Sequence, residues 1–193
     1  QVEFTRAEQV EANRFYVYDG SGFDPFSGVL PMFGEGEYGG GGNKKVASYV
    51  EFKNSEENHL GIPLPKGRVR FYREDGDQLQ FVGEAQIDHT AKDETLRLKT
   101  GHAFDLVGER RRMNFTKSPR RDEATETFEI KLRNRKETAV EIRVVEHLLR
   151  WANWEITEAT LEPNKLNAQT LEFRVPLAAG EEKTLTYTVQ YTW

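Results

Sequence analysis

Apolar and polar residues alternate along most of this chain, while apolar spacing at i, i+3, i+4 and i+7 is hard to find, so the pattern predicts strands. Three segments show it most clearly. TFEIKLRN directs Phe128, Ile130 and Leu132 to one face, TLEFRVPL does so with Leu171, Phe173 and Val175, and TLTYTVQYTW with Leu185, Tyr187, Val189 and Tyr191. Their other faces carry Glu, Lys, Arg, Thr and Gln, as an antiparallel sheet with one wet side requires.

VASYVEFK, RVRFYR, LQFVGEA, TLRLKTG, DLVGERRRMNF, VEIRVVEHLL and NWEIT read as further strands, which brings the total to about ten, and FYVY near the start could add one more. EDGDQ, between Arg73 and Leu79, supplies Asp and Gly where a hairpin needs a left-handed residue, so RVRFYR and LQFVGEA are expected to pair directly. NRKET, Asn134 to Thr138, is expected to do the same for the strands on either side of it. In VEIRVVEHLL the inward set begins Val140, Ile142, Val144, but Val145 starts a second alternation through His147 and Leu149, and a β-bulge near Val144 would reconcile the two. Pro176 has no amide to donate, which suggests an edge position or a strand end.

Short strands with turn signals between them predict an all-β protein, an antiparallel β-sandwich. Residues 103–193 hold enough strands for an immunoglobulin-like unit, and residues 1–102 are expected to form a smaller β unit that carries a glycine-rich flexible loop at 19–43.

Leu, Ile, Val and Phe make up 46 of the 193 residues, enough to bury a core. The net charge of −5 gives the molecule no long-range attraction for nucleic acid, and neither nucleic acid nor a cofactor is expected as a partner. With no cysteine, thiolate metal sites and cysteine nucleophiles are excluded. There is no run of about 18 apolar residues, so direct membrane insertion is not expected.

GEGEYGGGGNKK, Gly34 to Lys45, contains a literal G-x-G-x-x-G. A phosphate cradle of that kind leaves a strand and opens a helix whose amides hold the pyrophosphate. Here the preceding stretch is broken by Pro25 and Pro31, a strand pattern follows, and Glu35 and Glu37 put negative charge where phosphate would sit. The stretch is therefore read as a flexible loop.

The residues HLGIPLPKGRVRFYREDGDQLQFVGEAQIDHTAKDETLRLKTGHAFDLVGERRR, from His59 onward, resemble the bacterial family catalogued as domain of unknown function 4139 (DUF4139). LGIPLPKG, VRFYR with its EDGD turn, GEAQIDHT, LKTGHAFD and VGER carry the resemblance, and ETFEIKLRN, NWEIT and LTYTVQYTW continue it. It covers most of the chain and corresponds to the C-terminal portion of the family's domain. It implies a fragment or mature core of a cell-envelope protein, periplasmic or extracellular, and it brings no catalytic residues.

The four histidines, His59, His89, His102 and His147, are too scattered for metal-ligand spacing, and no nucleophile motif is present, so neither a metal site nor an enzyme is predicted. GERRRMNFTKSPRR is the most pointed charge feature. On a strand Arg110 and Arg112 share one face, read as outward, while Arg111 shares the other with Met113 and Phe115. Arg110, Arg112, Arg120 and Arg121 could meet phosphate or uronate bidentately, or else form a surface ladder with Glu126 or Glu129. Trp151 and Trp154, with the loop aromatics Phe23, Phe26, Phe33 and Tyr38, could stack on sugar or mark an interface. Two readings result: a non-enzymatic structural or protein-interaction module of the bacterial cell envelope, or a domain that binds carbohydrate or an anionic polymer.

Overall fold

The computed structural model describes residues 7–21, 42–119 and 122–193, and within them the chain is almost entirely β. Eleven strands run as β1 (Asn13–Asp19), β2 (Lys45–Lys53), β3 (Gly67–Asp75), β4 (Gln78–Ile87), β5 (Thr95–Lys117), β6 (Glu123–Asn134), β7 (Val140–His147), β8 (Trp154–Ala159), β9 (Asn164–Asn167), β10 (Thr170–Leu177) and β11 (Glu182–Thr192), with one 3-10 turn at Glu56–Asn58. Nine of them hydrogen-bond in the order β8-β11-β6-β5-β2-β1-β7-β10-β9, and β3 and β4 form a separate ribbon. No helix among the described residues is long and apolar enough to cross a membrane.

Contacts gather the chain into two compact units, Gln1–Tyr16 with Ala47–His102, and Val17–Val46 with Ala103–Trp193. In the second unit β8, β11, β6 and β5 lie side by side, as do β7, β10 and β9. The inward residues of the two sets meet face to face: the Tyr187 ring of β11 lies 5.2 Å from Phe128 of β6 and 5.4 Å from Phe173 of β10. This is the sandwich-like core that the alternation predicts, and Ile130, Leu132, Val175, Leu185 and Val189 complete it.

Two sequence expectations change here. NRKET does not join a hairpin, because β6 pairs with β5 and β11 while β7 pairs with β10. The reason is Asn134, which is fully buried: its amide donates to the carbonyls of Thr138 (2.9 Å) and Ala178 (2.8 Å) and its Oδ1 accepts from the Lys136 amide (2.9 Å), which ties the crossing from one strand set to the other. Nor does β7 bulge against β10, since its register runs unbroken from Val140↔Leu177 to His147↔Thr170. Its buried set is Ile142, Val144, Glu146 and Leu148, so the alternation continues through a carboxylate.

TLRLKTG and DLVGERRRMNF, expected as two strands, are one 23-residue strand, β5. Pro176 falls at the end of β10, beyond the short stretch that β9 covers, where no sheet amide is needed on that side.

In the first unit, Leu96 and Leu98 of β5 are buried, and Phe15 stacks on Tyr49 at 5.4 Å. LGIPLPKG forms a loop around the buried Asn54, whose amide donates to Ile62 (2.7 Å) and Ala91 (2.9 Å) and whose Oδ1 accepts from Gly61 (3.1 Å). The β3–β4 ribbon pairs as EDGDQ predicts, with Asp75 opposite Gln78 and Gly76 at φ 61°. It approaches β5 closely at Gly83, where a Cβ would stand 2.0 Å from the Thr100 carbonyl oxygen.

Candidate functional site

Leu106, Gly108 and Arg110 alternate inward along β5, which carries a guanidinium into the sandwich. Arg110 Nε donates to both oxygens of Glu146 on β7, at 3.0 and 2.9 Å, and the Tyr187 hydroxyl donates to Glu146 Oε2 at 2.5 Å. The guanidinium lies over the Phe128 ring, 3.9 Å from its centroid. Gly20 makes room for the Arg110 stem, since a Cβ there would meet it at 2.8 Å. Burial pushes the Glu146 carboxyl above the usual carboxylate range, and Arg110 and Tyr187 pull it back. Burial, and then the Glu146 charge, raise the Tyr187 hydroxyl.

The outward reading of Arg110 and Arg112 is therefore corrected: both point to the core side of β5. Phe115 joins them because β5 and β6 lose register between Arg112 and Asn114, which leaves Met113 without an opposite residue and shifts the alternation by one. Arg112 Nη1 reaches Glu126 Oε1 at 3.3 Å, which is the cross-strand partner expected of it, but Glu126 is buried and also takes Arg150 through Nη2 (2.7 Å) and Nε (3.1 Å). Arg150 is 1% exposed and lies 4.7 Å from the Phe115 centroid. Arg111 pairs with Glu109 of its own strand at 2.6 Å. Arg120 and Arg121 lie outside the described residues.

Arg150 is followed by an exposed aromatic surface. Trp151 and Trp193 are 36% and 39% exposed, with ring centroids 6.1 Å apart and planes at 60°. Backbone bonds hold them in place: Trp193 N donates to Asp122 O at 2.9 Å and Thr192 N to Asn153 O at 3.1 Å. Lys117 Nζ stands 5.5 Å over the Trp193 ring. Trp154 on β8 is opposite the buried Tyr191 of β11. Its indole donates to Ala168 O at 2.8 Å and carries Lys165 Nζ at 4.4 Å from the ring. Tryptophan faces with ammonium groups over them can stack on a flat apolar partner and meet a carboxylate beside it.

The ends of the glycine-rich segment meet beside Arg110. Asn43 N donates to Gly20 O at 3.2 Å, the Asn43 amide to Asp19 O, and the Tyr18 hydroxyl to Asn43 O at 2.7 Å. Asp19 also faces His147, Oδ2 to Nε2 at 3.0 Å. The G-x-G-x-x-G stretch itself and Phe23, Phe26, Phe33 and Tyr38 lie outside the described residues. Of the other histidines, His89 accepts the Lys66 amide at 3.3 Å and borders a shallow cleft of about 410 Å³ with Pro63, Leu64 and Pro65. Among the described residues no three His, Asp or Glu side chains stand close enough together to hold a metal ion.

The fold defines an all-β, sandwich-like protein with a separate two-stranded ribbon. No family model, no curated protein and no solved structure matches the chain. Sequence reading missed Glu146, Arg150 and Trp193. The first two were hidden because a search for apolar alternation discards charged residues, although the broken pattern of VEIRVVEHLL marked the place where Glu146 completes the inward set.

Proposed function

We propose that this chain is a non-enzymatic structural and interaction module of the bacterial cell envelope, the setting that its resemblance to the DUF4139 family implies. One observation carries the reading. Among the described residues, charged groups of the arginine-rich strand are engaged inside the sandwich, Arg110 with Glu146 and Arg112 and Arg150 with the single carboxylate of Glu126, while large apolar side chains face solvent. Internal pairs of this kind fix a core, and exposed aromatic surface is what interfaces are made of. The test is photo-crosslinking in intact cells from positions 81 and 151. Discrete protein adducts in the envelope fraction are expected; a wholly cytosolic protein without adducts at either position overturns the reading.

A second reading, binding of carbohydrate or an anionic polymer, is favoured by the paired indoles of Trp151 and Trp193 with Lys117 beside them. Its test is a glycan array: binding to uronate-containing chains that is lost on Trp151→Ala supports it, and an array blank for the unsubstituted chain sinks it.

A further inference from the structure

The β3–β4 ribbon ends in an aromatic tip. Opposite residues share a face, so Tyr72 with Phe81 and Glu74 with Leu79 present one side together. Tyr72, Leu79 and Phe81 are 51%, 67% and 59% exposed, and the Tyr72 and Phe81 rings meet edge to face at 5.7 Å. Val82, also exposed, is the extra residue of a bulge, because Phe71 is opposite Gly83 and Tyr72 opposite Phe81. A bulge twists a strand edge away from new pairing partners, which leaves the aromatic face, not the edge, as the contact surface. The tip is acidic as well: Glu74, Asp75 and Asp77 stand against the single cation Arg73, and the Asp75 carboxylate is held by the Gln80 amide at 2.6 Å. A two-stranded ribbon gains little stability by itself, so apolar area on its free face gains most when it is covered.

The second unit carries the complement of this surface. Trp151 and Trp193 are exposed and apolar, and Lys117 supplies positive charge over the Trp193 indole. Aromatic area matches aromatic area, and carboxylates match ammonium groups.

We propose that the chain associates head to tail with a second copy of itself, the Tyr72–Leu79–Phe81 tip of one copy seating on the Trp151–Trp193 surface of the next. This rests on the interaction-module reading and names the partner. Because the two surfaces differ, the contact is heterologous and leaves one free surface of each kind on every assembly, so growth continues unless a ring closes.

Sedimentation velocity of the 193-residue chain from micromolar to millimolar concentration tests it. The sedimentation coefficient is expected to climb with concentration, and less so at high salt. Phe81→Arg removes one surface and Trp193→Ala the other, so each variant alone stays monomeric, while an equimolar mixture forms a 1:1 complex from the intact surface of each. Both side chains are exposed, and circular dichroism checks that the variants fold. Should either unfold, Asp75→Lys and Lys117→Glu replace them, with association lost singly and restored on mixing. A wild-type chain that remains monomeric throughout, a single variant that still associates, or a mixture that does not, overturns head-to-tail assembly. If the wild type is monomeric while crosslinks to other envelope proteins form at positions 81 and 151, the module reading stands and its partner is not a second copy.

Discussion

Arg110 and Glu146 come from strands β5 and β7 on opposite sides of the sandwich and meet 2.9 Å apart, with side chains 3% and 0% exposed. Neither charge has water to fall back on. Removal of one partner therefore leaves the other buried without its counter-charge, whereas removal of both leaves a packing problem and the Tyr187 hydroxyl without its carboxylate acceptor.

Arg110→Ala and Glu146→Ala are each expected to destabilise the fold by about 3–5 kcal/mol. An apolar pair of similar volume, Arg110→Met with Glu146→Leu, is expected to recover most of that loss. Urea unfolding of the three variants decides it: additive losses in the double variant would mean that the two groups are not coupled.

Glu126 holds two guanidinium groups, so Glu126→Gln takes the shared negative charge from both Arg112 and Arg150. Its cost is expected to exceed that of Arg112→Ala, because Arg112 is the more exposed member and Arg150 still occupies the carboxylate. Thermal unfolding of the two variants ranks them, and equal midpoints would count against the shared carboxylate.

Gly108 faces the Tyr18 ring, where a Cβ would come within 2.2 Å of a ring carbon. Tyr18 has little freedom to retreat, since its hydroxyl is bonded to Asn43 O and the side chain is fully buried. Gly108→Ala is expected to cost about 1–3 kcal/mol as an overpacked site. Tyr18→Phe, which keeps the ring, is expected to lose about 1 kcal/mol. A neutral Gly108→Ala in denaturant titration would refute the close approach.

Asp19 and His147 give the fold a pH dependence. Burial works to raise the Asp19 carboxyl, but hydrogen bonds from His147 and Ser21 outweigh it and set it below its ordinary value. The bond to Asp19 holds His147 above its ordinary value, against burial. A lowered acid contributes stability that is lost as pH falls through its folded pKa, and a raised base contributes stability that is lost as pH rises through its own. The pair is thus worth most between the ordinary carboxyl and ordinary imidazole pKa values, and its contribution fades as pH falls toward the depressed carboxyl pKa or rises toward the elevated imidazole pKa. His147→Gln is expected to remove the alkaline loss above the ordinary histidine range, read as the difference between the unfolding midpoints of variant and wild type across pH. A difference that does not vary with pH would show that the pair does not titrate with folding.

Gly83→Ala tests how the ribbon is seated, because the added Cβ would run into the Thr100 carbonyl, a backbone atom that cannot swing away. Faster amide exchange in β3 and β4 is expected, with protection in β6, β10 and β11 retained. Unchanged exchange in the ribbon would show that it is not anchored there.

Phe128, Ile130, Leu132, Phe173, Val175, Leu185, Tyr187, Val189 and Tyr191 are buried on the faces that their alternation assigned, and Asp75, Gly76 and Gln78 turn the ribbon as EDGDQ foretold. Period-two patterning and turn chemistry are local properties, so the chain by itself determined most of its strands, the inward faces of β6, β10 and β11, and its all-β class. Which strands become neighbours is not local: NRKET looks like a hairpin, and only the buried hydrogen bonds of Asn134 to Thr138 and Ala178 show that it crosses between strand sets. The charged residues depended on tertiary structure most of all. Arg110 and Glu146 are 36 residues apart, and a guanidinium goes inward only where a carboxylate from another strand meets it in the core, a free-energy condition that no stretch of sequence on either side can express.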